Sequence, residues 1–411
     1  MYLLRYLTPA FVAAALTAEA IQSSPPVESP PDLLIGYSEL RTDLPCGRYV
    51  NVATMRAVVV KADGAGRRVL AEDLTRERGY GTQFCGWSPD GKTAILLRGW
   101  ESKENGKWEE EHKTFRYSAD GWVIDGYLFD LQSGKATNVT SIERVSHYNV
   151  GLAYMPGDTT KLGFLALVGG VNRPFRMDLD GKNKRDLIKN SPNLVHGMNI
   201  SPDGKRGAYE DENYQLYLAN GDGSNAKRVQ TGQQFNFLPT WSPDGLWVLF
   251  LAGEHYDCHP HIVKPDGTGL KKLAGRNGYR GVIDFLDVHD FHGGSSDLPV
   301  WAPDSKSVFY TAKVGRNVEL FRVTLDGKSE QLSHTPEGAV HYHPRPSPDG
   351  QWLLYGSKRD GVRQLYLMRL EDKTERRLTD LAKGHAAMWP IWQPVVKKPS
   401  RVAGPEKKKE R

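Results

Sequence analysis

The sequence predicts an all-β fold, a seven-bladed β-propeller of four-stranded blades whose ring is closed by strands from both chain ends. Three observations carry this. A phrase, Ser-Pro-Asp-Gly after an aromatic or apolar residue, recurs at Trp87–Gly91, Ile200–Gly204, Trp241–Gly245 and Pro346–Gly350, with a variant at Trp301–Asp304. Short apolar strands separated by turn residues follow each copy at a spacing of about 40 residues, which marks a repeat architecture. The last copy of the inner-strand pattern, Trp389–Pro394, has no partners after it.

The clearest unit runs from His341 to Leu378: a first strand to Ser347, a turn at Pro348–Gly350, then Trp352–Tyr355, Leu365–Met368 and Arg376–Leu378. Asp-Gly pairs supply the positive-φ positions that tight hairpins require. Further units begin near Thr82, Ser146, Val195, Phe235, Phe291 and Ala339, giving six complete blades. The seventh joins Trp389–Pro394 to Leu33–Tyr37, Arg56–Val60 and Arg67–Leu70. Such closure removes the open sheet edges that invite aggregation. The motif Trp is expected to pack between blades and the Pro-Asp-Gly to form the turn.

Around this body, residues 1–20 read as a secretory signal: Arg5, an apolar stretch through Leu16, and Ala18-Glu-Ala20 before the expected cleavage. Residues 21–32 are a Pro/Ser-rich lead-in, 33–394 the propeller and 395–411 a basic, disordered tail. A periplasmic or secreted location follows, with no membrane span after cleavage. The 411 residues are 39% hydrophobic and 25% charged, a composition that suits a globular body with a sizeable core. Formal net charge is +5, and the tail alone holds seven basic and two acidic side chains, so the body is neutral and gives no electrostatic case for nucleic acid. Cys46, Cys85 and Cys258 allow one disulfide at most.

The chemistry is read from the histidines, all twelve of which map to the face where first strands begin and second strands end. His341-Tyr-His343-Pro-Arg345 is the tightest element. Strict alternation would send both imidazoles to one side of a rigid strand, a half-site for a divalent metal ion such as manganese or zinc. Glu337, His385, His289 and His292 are the candidates to complete it. Glu254-His255-Tyr-Asp-Cys-His259-Pro-His261 is the densest polar stretch; His255, His259, His261 or Tyr279 is a candidate base, and Arg280 or Arg345 a candidate partner for a carboxylate. The insertion Trp100–Trp122, with Trp108, Phe115 and Tyr117, reads as a rim over the funnel or a solvated loop. No Gly-x-Ser-x-Gly elbow, P-loop or dinucleotide fingerprint is present in the sequence.

The repeated phrase and its strands resemble the PD40 repeats of the TolB-like propellers over nearly all of residues 33–394. His341-x-His343-Pro, followed by Ser-Pro-Asp and a Leu-Tyr-Leu strand, resembles over about thirty residues the metal-bearing blade of the oligogalacturonate lyases, enzymes that cleave uronic-acid oligosaccharides by β-elimination. That resemblance implies His341 and His343 as metal ligands and an acidic oligosaccharide or polysaccharide as substrate. The chain departs from it at three positions: Leu298 stands for the third histidine ligand, Leu238 for the catalytic histidine and about Gly338 for the glutamine ligand. The expected function is a metal-binding, lyase-like protein acting on carbohydrate; the alternative is a non-catalytic TolB-like propeller that binds an envelope protein or polymer.

Overall fold

The computed structural model describes residues 29–44, 53–77, 79–113, 122–141, 151–168, 171–188, 194–287 and 296–396. Seven four-stranded antiparallel sheets form a ring. Blades 1 to 6 start at the inner strands Gly81–Trp87, Ala153–Met155, Leu194–Ile200, Phe235–Trp241, Val300–Trp301 and His341–Pro346. Blade 7 is composite, its innermost strand His385–Trp392 pairing with Leu34–Arg41, then Arg56–Lys61, then Arg68–Val69. The closure expected from the sequence is the closure observed, and the chain is a seven-bladed propeller.

Each motif residue has a physical task. In the first copy the Ser88 hydroxyl donates to Asp90 Oδ1 at 2.6 Å, the same carboxylate accepts the Lys92 amide at 3.1 Å, and Gly91 takes φ +68°. Ser201 with Asp203 and Ser242 with Asp244 repeat the first bond at 2.6 Å. The Trp indoles tie neighbouring blades: Trp241 Nε1 donates to the Asn199 carbonyl of blade 3 at 3.0 Å, Trp301 to Thr240 of blade 4 at 3.3 Å, Trp392 to Arg345 of blade 6 at 3.0 Å and Trp87 to Ile391 of blade 7 at 3.2 Å. Apolar clusters fill the spaces between successive sheets, as where Trp241, Val248 and Phe250 of blade 4 pack against Ala208, Leu216 and Leu218 of blade 3.

One feature of the inner strands departs from simple alternation. Registers shift at Phe237/Thr240, at Tyr342/Arg345 and in the pairing of the closing strand, and Leu238, His343 and Trp389 there take φ +50°, +53° and +51°. Each is followed by proline: Pro239, Pro344 and Pro390. The bulge re-aims the side chain at that position. It therefore breaks the two-residue periodicity on which the His341/His343 half-site was argued.

The Trp100–Trp122 insertion begins with a helix, Lys103–His112, whose N-terminal amide Asn105 N–H donates to the Ser102 hydroxyl at 3.0 Å. Phe115 and Tyr117 lie outside the described residues. Cys85 is a free thiol and Cys258 is buried; Cys46 lies outside the described residues. No helix among the described residues is long and apolar enough to cross a membrane.

Candidate functional site

The sequence candidates separate into one buried centre and several isolated groups. The centre is Asp297, fully buried just before the inner strand of blade 5. Its Oδ1 accepts the His343 backbone N–H at 2.8 Å and faces His343 Nδ1 at 3.2 Å. Its Oδ2 accepts the Tyr279 hydroxyl at 2.8 Å and the Thr311 hydroxyl at 2.7 Å. Arg276, 1% exposed, lies 4.0 Å from Oδ2, donates to the carbonyl and hydroxyl of Thr311 at 3.0 and 3.1 Å, and stacks its guanidinium 4.5 Å from the Tyr279 ring centroid. The left-handed bulge at His343 explains why both its amide and its ring reach the one carboxylate.

Burial raises the Asp297 carboxyl, but the bond and charge of His343, with Arg276 and Thr311, outweigh it and hold the group at about 2. Burial, with the Asp297 charge adding to it, pushes Tyr279 well above the usual phenol range, so its hydroxyl is a fixed donor rather than a base. A carboxylate on Nδ1 fixes a proton there, and in the neutral tautomer so selected Nε2 is the acceptor. That Nε2 has no hydrogen-bond partner, although the ring is 2% exposed beneath Phe285, Tyr342 and Trp389. Phe285 belongs to a short helix, Val282–Leu286, that covers the ring.

His341 is held separately. Its Nε2 stands 3.5 Å from Glu319 of blade 5 and 3.5 Å from the Thr335 hydroxyl, and its Nδ1 is unpartnered. Glu319 accepts from Ser333, from Thr335 N and Oγ1 at 3.0 and 2.7 Å, and from Asn317 at 3.0 Å. Burial opposes its ionisation, but the bonds from His341, Ser333 and Thr335 hold its carboxyl far below the usual range. Burial, in turn, lowers the His341 pKa against the pull of Glu319.

The remaining candidates are not part of this centre. The polar stretch at Glu254–His261 is a tight hairpin, Glu254 pairing with Asp257, followed by the third strand of blade 4. Exposed His255 packs at a tilt against Phe235, ring centroids 4.8 Å apart. His259 Nδ1 accepts the Arg276 amide at 3.3 Å, and His261, 7% exposed, bonds the His259 carbonyl at 2.9 Å. Burial lowers the pKa of both. Arg280 is bound to Asp284 at 2.7 Å through its amide and 3.3 Å through its side chain. His385 faces Glu39 at 3.4 Å. Among the described residues Arg345 donates once, to the Pro344 carbonyl at 3.1 Å; burial lowers its pKa and the Asp297 charge raises it. His289 and His292 lie outside the described residues.

The lyase resemblance implies a metal ion. Two orphaned imidazole nitrogens are present, but the rings face different carboxylates, His341 that of Glu319 and His343 that of Asp297. Among the described residues no three His, Cys, Asp or Glu side chains are grouped to hold an ion. The described residues therefore do not by themselves fit a metal.

No protein-family model matches the chain. An uncharacterised protein of Agrobacterium fabrum is 30% identical over 206 residues, 49% of this chain and 64% of its own length, so the chain spans slightly less than two thirds of that relative. Among solved structures, a puromycin-hydrolysing peptidase from Mycobacterium tuberculosis aligns with TM-score 0.59 at 11% identity, over 87% of this chain and 53% of that one. An oligogalacturonate lyase in complex with manganese aligns with TM-score 0.51 at 15% identity, over 72% of this chain and 78% of that one. TolB from Acinetobacter baumannii aligns with TM-score 0.47 at 18% identity, over 75% and 66%. In fold, this is a seven-bladed β-propeller. At these identities the likeness of this propeller to solved structures is one of architecture, which hosts many unrelated activities.

Sequence reasoning did not find Asp297, Arg276, Thr311 or Glu319. Glu319 alone left a signal, a carboxylate inside the otherwise apolar strand Val318-Glu-Leu320, since a charge in a buried strand needs a partner. Asp297 lies 46 residues from His343 and left none.

Proposed function

We propose that this protein is an exported propeller that engages an acidic carbohydrate at the inner wall of its funnel, with His343 and Arg345 as the contact groups. The observation that carries the reading is the Asp297 centre. A buried carboxylate fixes one imidazole by both its amide and its ring, leaves Nε2 unspent, and lies in the field of an arginine that has no carboxylate of its own among the described residues. Arg345 suits the carboxylate of a uronate, since guanidinium and carboxylate match as forks. His343 Nε2 suits a ligand hydroxyl. The same acceptor would be the base in a β-elimination, because removal of the α-proton of a uronate needs a neutral, oriented imidazole beside a neutralised carboxylate. Phe285 covers the ring, so access requires the Val282–Leu286 helix to move.

Leu238 and Leu298, standing where the resembled family has its base and third ligand, favour a second reading in which the same face binds an envelope polymer or protein without turnover. One experiment separates the two. The mature protein, whose N-terminal mass also tests cleavage after Ala20, is titrated calorimetrically with oligogalacturonate and with a neutral glucan, and ultraviolet absorbance of unsaturated product is followed in parallel. Acid-selective binding with product, both lost in His343→Ala and weakened about tenfold or more in Arg345→Met, supports the lyase-like reading. Binding without product supports the non-catalytic one, and no selective binding sinks the proposal. Metal analysis of the same sample beside His341→Ala/His343→Ala tests the ion.

A further inference from the structure

A second cluster of charge lies away from the funnel centre, at the seam where the chain ends meet. A cleft of about 130 Å³ there is lined by Glu39, Arg41, Thr54, Arg56, Arg67 and His385, with Leu40 and Val69 behind them. Since a water molecule occupies about 30 Å³ in the liquid, the cleft has room for a group of a few heavy atoms.

Three guanidiniums and one carboxylate line this cleft. Arg67 Nη2 holds Glu39 Oε2 at 2.5 Å, and His385 shares the same side chain through Oε1 at 3.4 Å. Arg41 turns to Asp43, which does not line the cleft, at 2.7 and 3.0 Å. Arg56 has no carboxylate partner among the described residues: its hydrogen bonds go from Nη1 to the carbonyls of Ala53 and Met55 at 3.0 and 2.8 Å. A guanidinium has five N–H donors, so most of those on Arg56 are unspent. Burial lowers the Arg56 pKa and the nearby Glu72 charge opposes it only in part; an anion in the cleft would offset the remaining desolvation cost.

We infer that this cleft is an oxyanion site, in which Arg56 and Arg67 bind a carboxylate or phosphate group. The fold gives the site a consequence. Its lining comes from all four strands of blade 7 or their edges, the C-terminal strand through His385 and the three N-terminal strands through Glu39, Arg56 and Val69. With His385 of the closing strand in the same lining, an anion that binds only the closed blade stabilises ring closure by mass action. The site is independent of the funnel centre around Asp297.

The test uses the full mature chain at constant ionic strength in chloride, with inorganic phosphate, glucuronate and glucose as probes, read by calorimetric titration and by thermal unfolding. Phosphate, glucuronate or both bind and raise the unfolding temperature, and the probe that does so identifies the chemistry of the natural ligand; glucose does not. Arg56→Gln and, separately, Arg67→Gln each weaken binding by about tenfold or more, while His343→Ala leaves it unchanged. The inference is overturned if neither anion binds beyond chloride, if both arginine variants bind as the parent does, or if His343→Ala abolishes the response.

Discussion

Asp297 shows how one buried carboxylate sets the character of a site. Its folded pKa of about 2 lies below the ordinary value of 3.8, so between those limits the unfolded chain binds more protons and stability rises with pH. The contribution is fully present above about pH 4 and lost as pH falls toward 2; a shift of this size corresponds to about 2 kcal/mol. Urea unfolding at a series of acidic pH values is expected to show that slope in the parent and its loss in Asp297→Asn. The variant is also expected to be about 3–5 kcal/mol less stable at neutral pH, because Arg276 is left as a buried charge without its counter-ion. An unchanged acid slope would show that Asp297 is not ionised as described. At this scale the sequence was half legible: His-x-His-Pro marked His343, but the residues that determine its chemistry come from blade 5 and the segment before it, which no local pattern ties to blade 6.

The repeat was legible in the sequence because each of its residues solves a local problem in each blade: serine and aspartate close the turn, glycine takes positive φ, and tryptophan meets the next sheet. The indole bond to the preceding inner strand is the added finding, and it makes a prediction that burial alone does not. Trp241→Phe keeps the ring packed against Val248 and Phe250 but removes the indole bond to the Asn199 carbonyl; it is expected to cost about 0.5–1.5 kcal/mol. Trp247, one strand away and partly exposed against Lys264, makes no such bond, and Trp247→Phe is expected to change stability by less than about 0.5 kcal/mol. Equal losses in a denaturant titration would mean that the indole N–H does not join the blades. The bulges were not legible. Leu238-Pro, His343-Pro and Trp389-Pro look like ordinary strand-to-turn boundaries in one dimension, and a bulge shows only once the partner strand is paired, because it consists of two residues opposing one.

For the whole molecule the decisive joint is between the two chain ends. The closing strand pairs with Leu34–Arg41, sets Trp392 on blade 6, and continues into Gln393, whose side chain accepts the Leu34 amide at 3.0 Å and donates to the Gly91 carbonyl of blade 1 at 2.7 Å. One residue thus links blade 7 to blade 1 while its neighbour links blade 7 to blade 6. A chain ending at Gly384 would lose all of these at once and leave Leu34–Arg41 as an unpaired edge beside an open gap. Such an edge is a template for pairing with another chain, so this truncation is expected to aggregate or to lose its single cooperative transition. Gln393→Ala, which removes two hydrogen bonds and keeps the strand, is expected to cost about 1–3 kcal/mol while the protein stays monomeric. Light scattering and thermal unfolding distinguish the two. If the truncated chain melted cooperatively at the parent temperature, the six complete blades would be self-sufficient, and the ring closure that places the seam cleft would be an ornament on a fold stable without it.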